Sequence, residues 1–464
     1  MAQEREIEIT DMGAEGEGIG RIEGMTVFVF PGKSSPPIRP IMGDTVLAEI
    51  TKVKKNYAIA QMKRLITPSE LRCEPFCEYA GICGGCSLQE MSYEGQLKLR
   101  EKQIRDKLTR IAGIENPKVN PIISMEDSFR YRNKAQIPIA QNAIGFFKGK
   151  SHKVVNCNRC LTNAEPAEAI AEALRKFMRS DHVAAYDHET GKGLFRHLVV
   201  RTAYGTGEVM AMLVINGKGA PNHQKLIEMM DDAVAELPPY AEGKEYSLES
   251  VIFNINTKKT REILGERCIT VAGKPTIIDT IDDLQFEISP LSFYQVNSVQ
   301  MKKLYDKVLE YAQLTGNEIV LDVYCGIGTI GLFCAPNAKK VIGIESVKAA
   351  VLDANRNAVI NGIVNAEYLC GQAEEILPKF AGDGLSADVV ILDPPRAGCR
   401  PELLEAVCKA TPKRIVYVSC DSATLARDVK LLVEKGYRFE EATPVDMFPW
   451  TTHVETVLYL ARGK

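Results

Sequence analysis

Three short apolar runs in the C-terminal part of the chain each end in a chemically loaded turn, and this most constrains the fold. Ile319-Val320-Leu321-Asp322-Val323 leads into Tyr324-Cys325-Gly326-Ile327-Gly328-Thr329-Ile330-Gly331. Val389-Val390-Ile391-Leu392 leads into Asp393-Pro394-Pro395-Arg396, and Val416-Tyr417-Val418-Ser419 leads into Cys420-Asp421-Ser422. Runs this short and continuous fit strands buried on both faces of a parallel sheet. In an open α/β sheet, ligands sit in the crevice outside the carboxyl ends of such strands. The three turns are therefore expected to share one pocket, with a nucleotide-like cofactor, a polar anchor and a thiol nucleophile.

The rest of the chain supports that placement. From Leu291 onward a helix at 297–313 precedes repeated strand–turn–helix units, with strands expected at 318–323, 340–344, 366–370, 387–392 and 414–419. A final pair is expected at 439–445 and 453–460, completing an α/β, doubly wound and mostly parallel sheet. Residues 5 to 62 read instead as short strands of even spacing, separated by the glycines from Gly13 to Gly20 and by Pro36, Pro37 and Pro40. That pattern predicts a small closed barrel. Lys52, Lys54, Lys55, Lys63 and Arg64 make its exit basic, as contact with a polyanion requires, although a charged edge that discourages strand pairing has the same look. Residues 92–113 carry Leu97, Ile104, Leu108 and Ile111 at helical spacing. Residues 120–285 alternate strands and helices, with a clear helix at 165–180. A chain of 464 residues is too long for one core, and the expected division is 1–62, 63–285 and 286–464.

Hydrophobic content of 45% and charged content of 25% exclude a disordered chain. No apolar run approaches the roughly 20 residues of a membrane helix, and Met-Ala-Gln-Glu-Arg-Glu is no signal peptide. The expectation is a cytoplasmic protein with no membrane partner. A net charge of −3 excludes a uniformly basic surface, so nucleic-acid contact must be confined to one face. Thirteen cysteines, in a chain with no sign of secretion, argue for metal binding or catalysis over disulfides.

Gly326-x-Gly328-x-x-Gly331 matches the dinucleotide fingerprint, with Glu345 about 20 residues on. Yet Asp322 and Tyr324 precede the glycines, where a pyrophosphate would favour neither. An acidic strand end, a Gly-rich turn and a second acid suit S-adenosylmethionine, with Glu345 accepting from both ribose hydroxyls. Asp393-Pro394-Pro395-Arg396 lacks the aromatic with which amine methyltransferases stack a flipped base, so the target is a ring carbon. Carbon 5 of uracil is too weak a nucleophile unaided. Addition of the Cys420 thiolate at carbon 6 creates an enolate that can attack a methyl donor. A base must then remove the carbon 5 proton, for which Glu455 is the candidate and His453 the rival. Free cysteines are most often buried small hydrophobes, but the polar Ser-Cys-Asp-Ser turn weighs against that here.

Cys77-x5-Cys83-x2-Cys86 is a second constellation, a thiolate set for iron–sulfur or zinc. Cys157 and Cys160 are both available as a fourth ligand, and Cys73 lies nearby in sequence. A radical S-adenosylmethionine enzyme would need Cys-x3-Cys-x2-Cys, which five residues between Cys77 and Cys83 deny.

Taken together, from about residue 5 to the end, these motifs resemble those of the bacterial 23S rRNA (uracil-5)-methyltransferases, relatives of the tRNA thymine-loop uridine methyltransferase. The segment around Gly16-Glu17-Gly18-Ile19-Gly20 resembles a TRAM domain, an OB-like RNA-binding barrel. The resemblance implies a Rossmann-like class I methyltransferase domain behind a central α+β domain carrying a [4Fe–4S] cluster on Cys77, Cys83, Cys86 and Cys160. It implies cofactor contacts from Gln295 in Ser289–Asn297 and from Tyr324, Thr329, Glu345, Gln372 and Asp393. Phe293 would lie by the target base, Cys420 would be the nucleophile and Glu455 the proton-abstracting base. Tyr324, Thr329 and Gln372 depart from the residues commonest there, phenylalanine, asparagine and an acid or asparagine. The implied product is 5-methyluridine, in 23S rRNA or alternatively tRNA, made by a monomeric enzyme. A non-catalytic RNA-binding protein would leave Cys420 and Glu455 without a purpose.

Overall fold

A computed structural model describes residues 4–32, 37–260, 262–382 and 387–463. The C-terminal sheet is built from Ile319–Val323, Lys340–Glu345, Ala366–Cys370, Val389–Leu392, Arg414–Ser419, Tyr437–Val445 and Glu455–Arg462. Numbered in chain order, these strands lie 3-2-1-4-5-7-6. The first five are parallel, and the last strand runs antiparallel between the fifth and sixth. Every residue of Val389–Leu392 is buried, as expected for a strand covered by helices on both faces. The order reverses between strands 1 and 4, which opens a crevice at their carboxyl ends.

The barrel closes from Glu4–Met12, Gly18–Ile22, Met25–Phe30, Thr45–Val53 and Tyr57–Thr67. Two sequence expectations need correction here. Gly18–Ile22 was expected as a separator but is a strand. It pairs so tightly with the first strand that a side chain at Gly20 would collide with the Glu8 carbonyl oxygen. The final strand also runs past residue 62, because Thr45 and Val46 pair with Thr67 and Leu65.

In sequence between barrel and catalytic sheet comes a second seven-stranded sheet with Phe195–Thr202 at its centre. Helices Glu165–Ser180 and His223–Ala235 cover one of its faces. From its other face Val199, Met210 and Ile252 join Met301, Leu304 and Val416 in a single core. The central and catalytic parts are thus packed as one mass.

Helix Tyr93–Arg110 is capped by the Ser92 side chain, which accepts from Gly95 N. Its buried stripe is not the expected one. Leu99, Ile104 and Leu108 are buried with Gln96 and Arg100, whereas Ile111 is exposed. The reason is polar. Arg100 Nη1 stands 2.7 Å from Asp446 Oδ1 with both side chains fully buried, and Arg100 Nη2 donates to the Thr451 carbonyl at 2.7 Å. These anchors rotate the helix so that Leu99 enters the barrel core while Ile104 and Leu108 enter the catalytic core. Among the described residues, no helix is long and apolar enough to cross a membrane.

Candidate active site

Strand 1 of the catalytic sheet delivers Asp322 and the glycine turn. Asp322 Oδ2 accepts from Gly331 N at 2.9 Å, while Oδ1 is buried with no partner among the described residues. Burial, helped by the Glu345 charge, pushes the Asp322 carboxyl up to about 7. Gly326 and Gly328 take φ of 55° and 84°, the left-handed region that glycine enters without penalty. A Cβ at Gly328 would lie 2.7 Å from the Tyr368 ring, whereas one at Gly326 would meet nothing within 4 Å. The turn is therefore braced from below and open at Gly326. At the end of strand 2, half-buried Glu345 accepts from Gly326 N at 3.3 Å and Val347 N at 2.8 Å. Thr329 Oγ1 lies 2.9 Å from the Tyr305 hydroxyl. Tyr324, at φ 65°, places its phenol among Cys399, Glu374 and Arg400. Gln372 is exposed at the end of strand 3.

Strands 5 and 7 bring the reacting groups together. Ser419 pairs with Thr456 across the antiparallel ladder. Cys420, the residue just past strand 5, and Glu455, the first of strand 7, are thereby brought to the same edge, close enough for the Glu455 charge to act on the thiol. Asp421 caps helix Ser422–Glu434, accepting from Ala423 N at 2.9 Å and Thr424 N at 3.0 Å, and this fixes the turn that carries Cys420. Burial, then the Glu455 charge, pushes the half-buried Cys420 thiol up to about 11, against the pull of Arg396. Glu455 is 3% exposed and its Oε2 has no partner among the described residues. Burial and the nearby Asp393 hold its carboxyl well above the usual range. Asp393 is raised in turn by burial and by Asp322. His453, whose Nε2 is 3.3 Å from Arg396 Nη2, moves the other way. Burial and the cations Arg396, Arg100 and Arg132 lower it.

The segment before helix Ser298–Ala312 is pinned at nearly every residue. Ser292 Oγ donates to Asp353 Oδ2 at 2.7 Å, and Arg201 donates to the Ser292 carbonyl. Tyr294 donates to Asp279 at 3.1 Å. Asn133 Nδ2 donates to the carbonyl of buried Gln295 at 2.9 Å, and Asn297 caps the helix through Gln300 N. From this rigid frame Phe293 projects 67% exposed.

Residues 271–463 match the family described as tRNA (Uracil-5-)-methyltransferase, and residues 2–63 match the TRAM domain. The chain is 45% identical over 466 residues to an uncharacterized RNA methyltransferase of Caldanaerobacter subterraneus subsp. tengcongensis, covering 100% of this chain and 99% of the relative. The chain belongs to the TRAM-bearing RNA (uracil-5-)-methyltransferase family. An uncharacterized RNA methyltransferase of Staphylococcus aureus is 42% identical over 454 residues, covering 97% of this chain and 96% of the relative. The crystal structure of Pyrococcus abyssi tRNA (uracil-54, C5)-methyltransferase in complex with S-adenosyl-L-homocysteine superposes with a TM-score of 0.75. Its identity is 30%, over 98% of this chain and 100% of that one.

In this methyltransferase the loop before Glu455 is positioned by residues that sequence patterns did not single out. Tyr93 donates to Asp446 Oδ2 at 2.7 Å, opposite the Arg100 contact. Trp450, at φ 68°, donates its backbone N–H to Gln96 Oε1 at 2.9 Å and its indole N–H to the Ser128 carbonyl at 3.0 Å. The available signal was an arginine and a glutamine on the inner side of an otherwise apolar stripe.

Cys77, Cys83, Cys86, Cys157 and Cys160 line one cavity of about 340 Å³, which Arg132 and Val296 also border. Burial pushes the Cys83 thiol up to about 11 and that of Cys86 to about 12, and Cys160 adds to both. Cys160 also acts on Cys77 and Cys157. Cys73 stands apart, donating to the Gln89 carbonyl at 3.4 Å. Among the described residues, no group of three or more His, Cys, Asp or Glu side chains is arranged to hold a metal ion.

Proposed function

We propose that this methyltransferase makes 5-methyluridine, with 23S rRNA as its substrate, through covalent activation by Cys420. The observation that carries the proposal is the closeness of Cys420 and Glu455 just beyond the Ser419–Thr456 pair of strands 5 and 7. The donor set fits S-adenosylmethionine. Asp322, Asp393 and Glu455 form a run of carboxyls in which burial and the charge of Asp322 raise Asp393, and burial and the charge of Asp393 raise Glu455; a cationic ligand is what such a run lacks. Glu345 and the open backbone at Gly326 would hold its ribose, with Gln295, Asp393, Tyr324, Thr329 and Gln372 around the remainder. When bound, it supplies an electrophilic methyl group.

The chain's own residues do the rest. A uracil must leave its stack to reach the crevice, and exposed Phe293 offers it a face. The Cys420 thiol gives up its proton to solvent, the resulting thiolate bonds to carbon 6, and the electrons of the carbon 5–carbon 6 double bond move into the enolate at O4. Carbon 5 then takes the methyl group. Glu455 removes the carbon 5 proton, the C–H electrons restore the double bond, and the Cys420 thiolate departs. The raised Glu455 carboxyl makes a stronger base than an ordinary carboxylate, while the lowered His453 makes a weaker one. Cys420→Ala should bind RNA yet neither methylate nor crosslink. Glu455→Gln should stall as a methylated covalent protein–RNA complex, visible as a shifted band on a denaturing gel. An active Cys420→Ala enzyme would rule out the covalent route.

A tRNA substrate is the second reading, favoured by the full-length likeness to the P. abyssi enzyme. Mass mapping of 5-methyluridine in rRNA and tRNA from a deletion strain decides between them. We also propose a [4Fe–4S] cluster on Cys77, Cys83, Cys86 and Cys160. The Cys77-x5-Cys83-x2-Cys86 spacing and the thiol-lined cavity shared with Cys160 support this reading. Anaerobically purified protein should be brown with about four irons per chain. Colourless protein with one zinc would reverse the assignment.

A further inference from the structure

Away from the catalytic crevice, the central sheet carries a cavity of about 680 Å³ that methyl transfer does not use. Its floor is Arg196 and His197, 3% and 7% exposed. Its walls are aromatic: Phe147 and His152 meet edge to face at 5.7 Å on one side, Tyr186 and His188 at 5.0 Å on the other. The Arg196 guanidinium lies over Tyr186 at 4.3 Å, its Nη1 donating to the Asn256 carbonyl at 2.7 Å. Arg196 Nε has no acceptor, and neither ring nitrogen of His197 has a partner among the described residues.

Such groups are costly to leave unmet, and their chemistry specifies what would meet them. Burial, then Arg196 and His188, lowers His197 to about 4. The ring is neutral at physiological pH, one nitrogen donating and the other accepting. The mouth carries the carboxylates of Asp187 and Glu262. These repel a phosphate but accept from an amino group. The site thus calls for a flat, neutral ligand with donors and acceptors on its edge, an amino group and two π-faces.

Its place on the sheet connects it to the catalytic loop. Alternation along Phe195–Thr202 puts His197 and Arg201 on one face, and Arg201 holds the Ser292 carbonyl beside Phe293. They lie four positions apart along the strand, about 13 Å. Lys134 pairs in register with Arg201, and Pro138 with His197.

We propose that this cavity takes one unstacked, amino-bearing nucleobase of the substrate RNA, adenine, guanine or cytosine, at a position other than the target uracil. The inference rests on the RNA-methylation reading above. Unstacked bases held between aromatic faces and read along their edges are the usual mode of sequence-specific RNA recognition.

The test uses the full-length enzyme and an RNA fragment that it methylates. His197→Leu should weaken binding of the intact RNA about tenfold, leaving S-adenosylmethionine affinity and kcat at saturating RNA unchanged. His197→Gln, which keeps a donor and an acceptor, should stay within about twofold of wild type. Among single abasic substitutions outside the target, one should cost wild type the same tenfold and cost His197→Leu nothing further. If thermal melts show His197→Leu unfolded, His188→Ala on the exposed rim replaces it, with about a threefold loss and the same insensitivity to that abasic site. Wild-type RNA affinity in the folded leucine variant, or in His188→Ala where that replaces it, overturns the proposal. So does binding of AMP, GMP or CMP that depends on His197 while RNA affinity does not, which would mark a small-molecule site. If wild type methylates no RNA at all, the active-site reading fails first and this inference falls with it.

Discussion

At the scale of single residues, the catalytic edge is defined by carboxyls held away from their ordinary behaviour. Asp322 is the clearest case, fully buried, pushed up to about 7 and satisfied at only one oxygen. Its unfolded value is near 3.8, so the folded state binds the proton more tightly. The stability associated with that proton is fully present below the unfolded value and is lost as pH rises through about 7. The ligand-free enzyme should therefore melt lower at pH 8 than at pH 5.5. Asp322→Asn should flatten that difference while weakening S-adenosylmethionine binding. An equal pH slope in both proteins would mean that Asp322 is already ionised at pH 5.5. The assignment of the base is tested at the same scale. Were Glu455→Gln to turn over normally while His453→Ala accumulated the covalent band, the role would pass to His453.

At the scale of elements, helix Tyr93–Arg110 is a support for the loop carrying His453 and leading to Glu455. Removing one member of a buried ion pair strands the other charge, typically at about 3–5 kcal/mol. Arg100→Ala should lower stability by about that amount in denaturant melts, and kcat should fall with little change in S-adenosylmethionine affinity. A loss below about 1 kcal/mol would show that Asp446 finds another partner. This helix also marks where the sequence stops being legible. Cys420, Glu345 and Asp393 could be singled out because each ends or follows a strand whose local pattern is strong, whereas Gln295 was legible only through the family resemblance of its loop. Arg100 could not, because its partner Asp446 lies on a distant part of the chain and an apolar periodicity is blind to buried charge. The strand Gly18–Ile22 was hidden for a related reason. Its glycines read as breakers, yet they are needed for close approach of the Glu8 backbone. The cavity around His197 left no local signal, since a histidine in a strand becomes informative only when its nitrogens are seen to lack partners.

At the scale of the whole molecule, the barrel is welded to the catalytic part. Thr452 donates to the Ala14 carbonyl at 2.6 Å, Gln103 to the Met12 carbonyl at 2.8 Å, and Lys102 pairs with Asp11. Deleting the barrel would therefore disturb the loop before Glu455 and confuse two effects. A cleaner test keeps the packing and changes only charge. Lys52, Lys54 and Lys55 are exposed at the end of strand Thr45–Val53 and in the turn after it. They lie away from those contacts. In a chain with a net charge of −3, RNA attraction must come from such local patches. Each lysine–phosphate contact releases condensed counterions, so its loss reduces the slope of log K against log salt by about 0.7–0.9. Replacing all three lysines by glutamate should weaken RNA binding about tenfold or more at low salt and reduce that slope by about 2. The gap should narrow as salt rises, with S-adenosylmethionine affinity unchanged. An unaltered slope would mean that RNA passes over another face, leaving these lysines as a solubilising edge on the barrel.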